Sequence, residues 1–157
     1  MSEESPRSCL KPRLVFATGN AHKISELEAI LAPAWQGYAP GTIARMSDFN
    51  APAPLEDGAT FEENSLIKAR ALVEFTGLPA LADDSGICVD IMGGAPGIFS
   101  ARWCGAHGDD AANLDLLLAQ LADVPAAHRD AAFVSAAALV LPMGVSSSNA
   151  ARCGAPS

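Results

Sequence analysis

The amino-acid sequence predicts an α/β domain, in which short apolar strands alternate with amphipathic helices. The run Leu14-Val15-Phe16-Ala17 is followed by a glycine turn and then by apolar residues at helical spacing. A second helix begins at the Thr60-Phe61-Glu62-Glu63 segment, and a strand-like run over residues 78–82 follows it. Strands that alternate with helices in this way are typical of the α/β class.

The first strand–helix unit resembles a phosphate site in its general form. Thr18, Gly19 and Asn20 lie between the strand and the helix, and Lys23 lies in the first helical turn. A helix that begins directly behind a strand presents unpaired backbone N–H groups and the positive end of its dipole, where a phosphate can bind. A lysine is mildly disfavoured there unless an anion is present. The alternative, which is the commoner one for Thr-Gly-Asn alone, is an Asn-capped helix with a surface lysine.

The second helix carries two polar residues that could act together. Thr60 and Glu63 have the S/T-x-x-E form of a capping box, and Gly77 supplies a stop signal. Asn64 and Lys68 are four residues apart, so they share one face and could point at one ligand. The alternative is a solvated polar stripe.

Two adjacent carboxylates, Asp83 and Asp84, follow the predicted strand at 78–82 and precede an alternating segment at 87–91. Adjacent carboxylates are costly unless a cation, a proton or hydrogen-bond donors share their charge, which makes a metal ion the first candidate. The hydroxyl of Ser85 could contact a phosphate or a metal-bound water. The alternative is a β-turn with local hydrogen bonds only.

Two residues elsewhere could join this site. Glu56 precedes a glycine turn, which is usually solvated, but it could reach the acidic pair as a further metal ligand. Arg102 follows a glycine-rich loop at 93–97, and it could pair with a phosphate or stack on Trp103.

The remaining segments predict structure rather than chemistry. We expect an irregular strand near 42–46, a buried strand over 131–141, and a helix capped by Asp109 or Asp110. The apolar stripe of this last helix is interpreted as core, and it consists of Leu114, Leu117, Leu118 and Leu121.

Composition narrows the class of protein. The chain has 157 residues, of which 50% are hydrophobic and 18% charged, enough for one compact domain. A net charge of -8 argues against a nucleic acid partner, and no apolar run is long enough for a membrane span. The four scattered cysteines predict neither a zinc site nor a disulfide framework. The polar N-terminus does not resemble a signal peptide, so we expect a cytoplasmic protein.

Several long motifs occur in this chain in the same order as in one known protein family. They cover residues 16–23, 56–64 with Lys68-Ala69, 81–86 and 93–102. In these motifs the chain resembles the inosine and xanthosine triphosphate pyrophosphatases, over about residues 13 to 144. The resemblance implies a curved mixed sheet flanked by helices, and two lobes around a nucleotide cleft.

The resemblance also implies an activity and a set of site residues. Members of the family are Mg²⁺-dependent homodimers that hydrolyse non-standard purine nucleoside triphosphates (ITP, dITP and XTP) to monophosphate and pyrophosphate. The implied catalytic residues are Asp84, as proton acceptor, and Lys68; the implied metal ligands are Glu56, Asp83 and Asp84; and the implied substrate contacts are Thr18, Gly19, Asn20, Lys23, Lys68, Ser85 and Arg102.

The resemblance stops after Gly144. The Gly-Phe-Gly-Tyr-Asp-Pro segment, a later lysine and the Ser-His-Arg that bind base and sugar in the family are absent. We therefore expect a flexible tail at 1–12, a partial domain at 13–144 with an incomplete second lobe, and a disordered tail at 145–157. The alternative function is an inactive truncated homologue that binds phosphates or partners; a hydrolase of the septum-inhibitor type is a second choice among enzymes.

Overall fold

A computed structural model of the protein describes residues 11–18, 20–142 and 146–154. The strands are β1 (Leu14–Ala17), β2 (Ile43–Arg45), β3 (Ala80–Val89), β4 (Ala131–Val140) and β5 (Ser146–Gly154). The α-helices are α1 (Ala21–Leu31), α2 (Phe61–Thr76) and α3 (Asp110–Gln120).

These strands form one mixed sheet in the order β2-β1-β3-β4-β5. β1 runs parallel to both β2 and β3, whereas β4 pairs antiparallel with β3 and with β5. The predicted α/β fold with a mixed sheet is therefore confirmed. The expected weak strand near 42–46 is β2.

Each helix begins at the capping residue that the sequence predicts. The side chain of Asn20 accepts a hydrogen bond at the start of α1, that of Thr60 at the start of α2 and that of Asp109 at the start of α3. In a standard capping box the carboxylate of Glu63 would accept a hydrogen bond from the N–H of the N-cap residue, Thr60. Here it accepts instead from the N–H of Ala59, one residue earlier in the chain. α2 ends at Gly77 in a left-handed conformation (φ 70°), which glycine adopts without steric cost.

The two faces of the sheet are covered by different helices. α2 packs on one face, where Val15 and Ala82 of the sheet contact Ala69 and Leu72 of the helix in one buried cluster. α1 packs on the other face, where its Ile24 contacts Leu14 and Phe16. Because successive residues of a strand point to opposite faces, neighbours in β1 belong to different cores.

The prediction that the acidic pair lies between two strands is wrong, and so is the alternative of a β-turn. β3 runs without a break from Ala80 to Val89, and Asp83 and Asp84 pair with Ala137 and Ala136 of β4. Ten consecutive residue pairs between β3 and β4 satisfy the backbone groups of this segment, a non-local effect that outweighs the local turn propensity.

Gly86 allows a connecting loop to cross β3 at close range. A Cβ atom at this position would lie 2.3 Å from the carbonyl oxygen of Gly97 and 2.5 Å from Oγ of Ser100. Ser100 in turn accepts a hydrogen bond from the N–H of Ile87. The short 3-10 helix Gly97–Arg102 is thereby fixed beside the middle of β3.

Two predictions of complete burial are wrong. β4 alternates, so that Ala136, Ala138 and Val140 are buried while Phe133 and Leu139 are exposed on the other face. In α3 only Leu117 and Leu121 of the predicted stripe are buried; Leu114 and Leu118 are exposed. In both cases the sequence pattern shows which residues share a face of the strand or helix. It does not show whether another element packs on that face.

The prediction of a disordered tail at 145–157 is also wrong for residues 146–154, which form β5. Nine residue pairs join β5 to the edge of β4, and this backbone pairing does not require a large apolar surface. Residues 1–10, which include most of the predicted N-terminal tail, lie outside the described residues, as do 143–145 and 155–157.

No helix in the described part of the chain has the length and apolar character to cross a lipid bilayer. Cys88 and Cys104 are free thiols.

Candidate active site

A cleft lies where β1 ends, between the middle of β3, the start of α2 and the extended segment 51–59. It contains two neighbouring cavities of about 280 and 440 Å³, of the size that small-molecule sites have. Both cavities are lined by Ala53, Pro54, Glu56, Lys68, Asp84 and Ser85.

Asp83 pairs with the lysine of the first helix. Its Oδ2 accepts a hydrogen bond from Nζ of Lys23 at 2.5 Å, and both residues line the smaller cavity. The lysine side chain is 39% exposed. The helix position of Lys23, which the sequence analysis found unfavourable without an anion, is thus explained in part by a carboxylate of the protein itself.

Asp84 is held by two residues of α2. Nζ of Lys68 donates to its Oδ1 at 3.1 Å, and Nδ2 of Asn64 donates to its Oδ2 at 3.3 Å. The side chains of Asp84 and Lys68 are only 14% and 17% exposed. Asn64 and Lys68 therefore share one face of α2, as their spacing predicts, and both contact the carboxylate of Asp84. That they also point at a ligand stays a prediction.

Glu56 joins the same group through Lys68. Its Oε2 lies 3.4 Å from Nζ of Lys68, so one ammonium group contacts the carboxylates of both Glu56 and Asp84. The segment that carries Glu56 is fixed by the start of α2, where the N–H of Gly58 donates to Oδ1 of Asn64 at 2.9 Å.

The three carboxylates predicted as metal ligands are not gathered around one point. Among the described residues, no three His, Cys, Asp or Glu side chains form a group that could hold a metal ion. Glu56 and Asp84 both contact the ammonium group of Lys68, whereas Asp83 contacts Lys23. Mg²⁺ is commonly held by one or two carboxylates together with substrate phosphates, and the pair Glu56 and Asp84 fits that mode.

Of the two residues of the Thr-Gly-Asn segment that the structure describes, Thr18 lines a cavity and Asn20 does not. Thr18 lines the smaller cavity, and its Oγ1 accepts from the N–H of Asn20. The side chain of Asn20 accepts from the N–H of His22 and so acts as the cap of α1, as the alternative interpretation expected. Gly19 lies outside the described residues.

Ser85 and Arg102 both line the cleft. Ser85 is exposed and lines both cavities, and Arg102 lines the larger one. The guanidinium carbon of Arg102 lies 5.3 Å from the ring centroid of Phe99, rather than over Trp103.

Two contributions to the cleft escaped the sequence analysis. His107 lines the larger cavity, although it follows Arg102 in an irregular loop without a recognisable pattern. The contact between Asn64 and Gly58 joins a helix to a loop. The only available signal for it was Gly58, two residues before the capping residue Thr60.

A sequence model of the Ham1 family matches residues 14–153. The chain belongs to the Ham1 family. This membership confirms the resemblance that the motifs carry.

This Ham1 family member has close relatives among curated proteins. It is 61% identical over 132 residues to the dITP/XTP pyrophosphatase of Streptomyces avermitilis, which covers 84% of this chain and 65% of that protein. It is 53% identical over 133 residues to the protein of the same name from Corynebacterium efficiens, with 84% and 63% covered. The chain thus spans less than two thirds of the length of these relatives.

Solved structures agree in fold. A nucleoside-triphosphatase, dITP/XTP pyrophosphatase, from Mycobacterium abscessus superposes with a TM-score of 0.76 at 46% identity, covering 88% of this chain and 69% of that one. A HAM1 protein from Coxiella burnetii gives a TM-score of 0.74 at 31% identity, with 91% and 72% covered.

Proposed function

We propose that this chain hydrolyses purine nucleoside triphosphates with non-standard bases to the monophosphate and pyrophosphate. The substrates we propose are dITP and XTP, which the names of its relatives contain, and ITP. Because the chain spans only part of those relatives, the activity is a proposal for this chain and requires its own test.

One observation carries the proposal. Lys23 and Lys68 come from different helices, and both line the cavity that contains Asp83 and Asp84. Two cations that converge on one cleft can bind a triphosphate in a protein of net charge -8. Both cations are held near carboxylates, so their positions are set before the substrate arrives.

Asp84 is suited to the role of general base. In the proposed reaction the oxygen of a water molecule attacks the α-phosphorus, and the bond from that phosphorus to the oxygen bridging to the β-phosphorus breaks. Pyrophosphate leaves with the electron pair of that bond, and the carboxylate of Asp84 takes the proton of the water. Lys23 and Lys68 then stabilise the charge that develops on the pyrophosphate.

We propose Mg²⁺ as the cofactor, held by Glu56 and Asp84. When bound, the ion supplies positive charge that neutralises phosphate oxygens and activates water. Asp83 remains a predicted ligand from the sequence, but its contact with Lys23 favours a role in holding that lysine. Ser85 and Arg102 are proposed substrate contacts, because they line the cavities beside Asp84.

A second candidate function is phosphate binding without turnover. It is favoured by the lining of the two cavities, which among the described residues includes no Phe, Tyr or Trp side chain. Stacking on an aromatic ring is a common way to hold a base. A cleft that holds the phosphates but not the base would bind pyrophosphate and yet orient the α-phosphorus poorly for attack.

Pyrophosphate release from ITP, dITP and XTP with Mg²⁺ tests the two candidates against each other. The native chain is compared with Asp84→Asn and with Asp115→Asn, an identical change at an exposed position of α3. The proposed activity requires release by the native chain and by Asp115→Asn, and a rate for Asp84→Asn that is lower by about 10²-fold or more. Binding of pyrophosphate by a folded native chain without any release would instead establish the second candidate.

We further propose a homodimer in the cytoplasm, on the resemblance to the family alone. Light scattering on the purified chain measures its mass in solution. A monomer at all concentrations would contradict the dimer.

A further inference from the structure

Asn64 is an almost fully buried amide, 2% exposed, and both ends of its side chain have partners. Its Oδ1 accepts from the N–H of Gly58 at 2.9 Å, and its Nδ2 donates to Oδ2 of Asp84 at 3.3 Å. The orientation of the amide follows from chemistry, because a backbone N–H can only donate and an ionised carboxylate can only accept.

Packing alone does not explain an asparagine at this position. Asparagine is a poor helix former, and a buried amide is costly unless its hydrogen bonds are made. An apolar residue of similar shape would fill the same space without that cost. The two hydrogen bonds are therefore what asparagine contributes at position 64.

Gly58 is seated directly on this amide. A Cβ atom at Gly58 would lie 2.6 Å from Oδ1 of Asn64 and 2.8 Å from Cβ of Glu63. No other residue could approach the start of α2 so closely. The loop that carries Glu56 is thus attached to α2 by the hydrogen bond between Gly58 and Asn64. This attachment point lies only two residues after Glu56 in the sequence.

Lys68 makes the other connection between the same two carboxylates, since its Nζ contacts both Glu56 and Asp84. In the proposed function, however, Lys68 binds the phosphates, and its contacts with the carboxylates then weaken. Asn64 borders the larger cavity, but it is neutral and only 2% exposed, and both ends of its amide are already bonded within the protein. An uncharged amide has no cation to offer the phosphates, so it can keep these contacts while the substrate is bound.

We infer that Asn64 is a positioning residue that links the loop of Glu56 to the carboxylate of Asp84 and keeps their spacing while Lys68 engages phosphate. This inference rests on the proposed function for its effect on catalysis. The linkage itself is a property of the folded chain, and it can be measured without turnover.

Asn64→Asp tests the effect on catalysis. The new carboxylate can still accept from Gly58, but it cannot donate to Asp84. We expect kcat for pyrophosphate release to fall about 10-fold to 100-fold, as for other residues that orient a ligand of the reacting centre, with KM changed by less than about threefold. The matched control is Asn113→Asp, because Oδ1 of Asn113 accepts from Cys104 and its Nδ2 has no partner among the described residues.

A folded Asn64→Asp variant with the native kcat would overturn the inference. So would an equal loss of kcat in Asn113→Asp, because the effect would then come from burying a charge in general. A fall in the stability of Asn64→Asp with kcat unchanged would reduce Asn64 to a structural role.

Nuclear magnetic resonance tests the linkage in the absence of activity. The isosteric change Asp84→Asn is compared with the native chain in ¹⁵N spectra. We expect the side-chain NH₂ signals of Asn64 to shift, and with them the backbone amide of Gly58, which does not contact Asp84 directly. The NH₂ signals of Asn113 should stay in place.

The two measurements separate the inference from the proposed function. If the native chain releases no pyrophosphate but the signals of Asn64 and Gly58 shift together, the function fails and the linkage stands. If the signals of Asn64 do not respond to Asp84→Asn, the linkage is refuted whatever the activity. The second measurement also decides the matter if Asn64→Asp does not fold.

Discussion

Neighbouring residues of β3 lie on opposite faces of the sheet and differ in exposure and in contacts. On the face covered by α2, Asp84 is nearly buried and is held by Lys68 and Asn64. On the face covered by α1, Asp83 contacts the more exposed Lys23. The same contrast appears in β4, whose residues are buried toward α2 and exposed on the other side. The α2 face is therefore the more enclosed side of the site and the α1 face the more solvent-exposed one.

The largest expected effect distinguishes the two carboxylates. We predict that Asp84→Asn lowers kcat for pyrophosphate release by about 10²-fold to 10⁴-fold, the range for loss of a general base. Asp83→Asn should cost about 10-fold or less, because it removes only a partner of Lys23 and leaves that lysine free to bind phosphate. The measurement is steady-state release with Mg²⁺. Equal losses for the two variants would contradict the assignment of different roles.

The next effect compares the cores of the two faces. Leu72 on α2 is 2% exposed, whereas Leu139 on the outer face of β4 is 36% exposed. We predict that Leu72→Ala lowers the free energy of unfolding by about 2–5 kcal/mol, as buried leucines do. Leu139→Ala should cost about 1 kcal/mol or less, because its side chain already contacts water.

Urea denaturation of both variants measures this difference. A cost for Leu139→Ala as large as that for Leu72→Ala would mean that the outer face of β4 is covered in solution. In that case light scattering on the same samples tells whether a second copy covers it.

The comparison of faces also tells what could be predicted from the sequence. The start of each helix was predictable, because Asn20, Thr60 and Asp109 cap their helices through bonds to residues two or three positions away. The shared face of Asn64 and Lys68 was predictable for the same reason, since helical spacing is a local property. The family motifs added the identity of the cleft residues.

The predictions were wrong where contacts between segments distant in sequence determine the structure. Asp83 and Asp84 were predicted to lie between two strands, with a β-turn as the alternative, because the local sequence allows a break there. Only the pairing with β4 makes the whole segment one strand. Which residues of β4 are buried depends on the elements that pack against it, and β5 forms by pairing with β4. Neither kind of neighbour can be identified from the residue pattern of the strand itself. The contact between Asn64 and Gly58 likewise depends on how a loop returns to a helix.

A smaller expected effect concerns the stability of the protein when each of the two lysines is replaced. Lys68→Met leaves Glu56 and Asp84 facing each other with their shared cation removed, so we predict a loss of about 1–3 kcal/mol in the free energy of unfolding. Lys23→Met should cost no more than about 1 kcal/mol, because its partly exposed ion pair is screened by water.

Urea denaturation at low and high salt measures both losses, and salt should reduce the effect of Lys23→Met more. Added Mg²⁺ should restore part of the stability of Lys68→Met, since the ion can replace the missing ammonium between the two carboxylates. No restoration by Mg²⁺ would argue against Glu56 and Asp84 as the ligand pair.

The smallest effect belongs to the α1 side of the molecule and concerns pH. Burial raises the pKa of Tyr38 above its usual value of about 10, and the neighbouring carboxylate of Glu28, which accepts its hydroxyl at 2.9 Å, adds to the rise in that pKa. The unfolded chain therefore releases this proton first as the pH rises. The stabilisation is complete below about pH 10 and is lost as the pH passes through the higher pKa of the folded state.

Tyr38→Phe should remove this part of the alkaline loss of stability, and at neutral pH it should cost about 1 kcal/mol or less for the hydrogen bond. The chain contains one tyrosine, so its ultraviolet absorbance reports the ionisation of Tyr38 alone. The absorbance of the folded native chain should rise at a higher pH than that of the urea-unfolded chain. Coincident curves would mean that the contact with Glu28 does not persist in solution, and that α1 is anchored to the following loop less firmly than α2 is to the site.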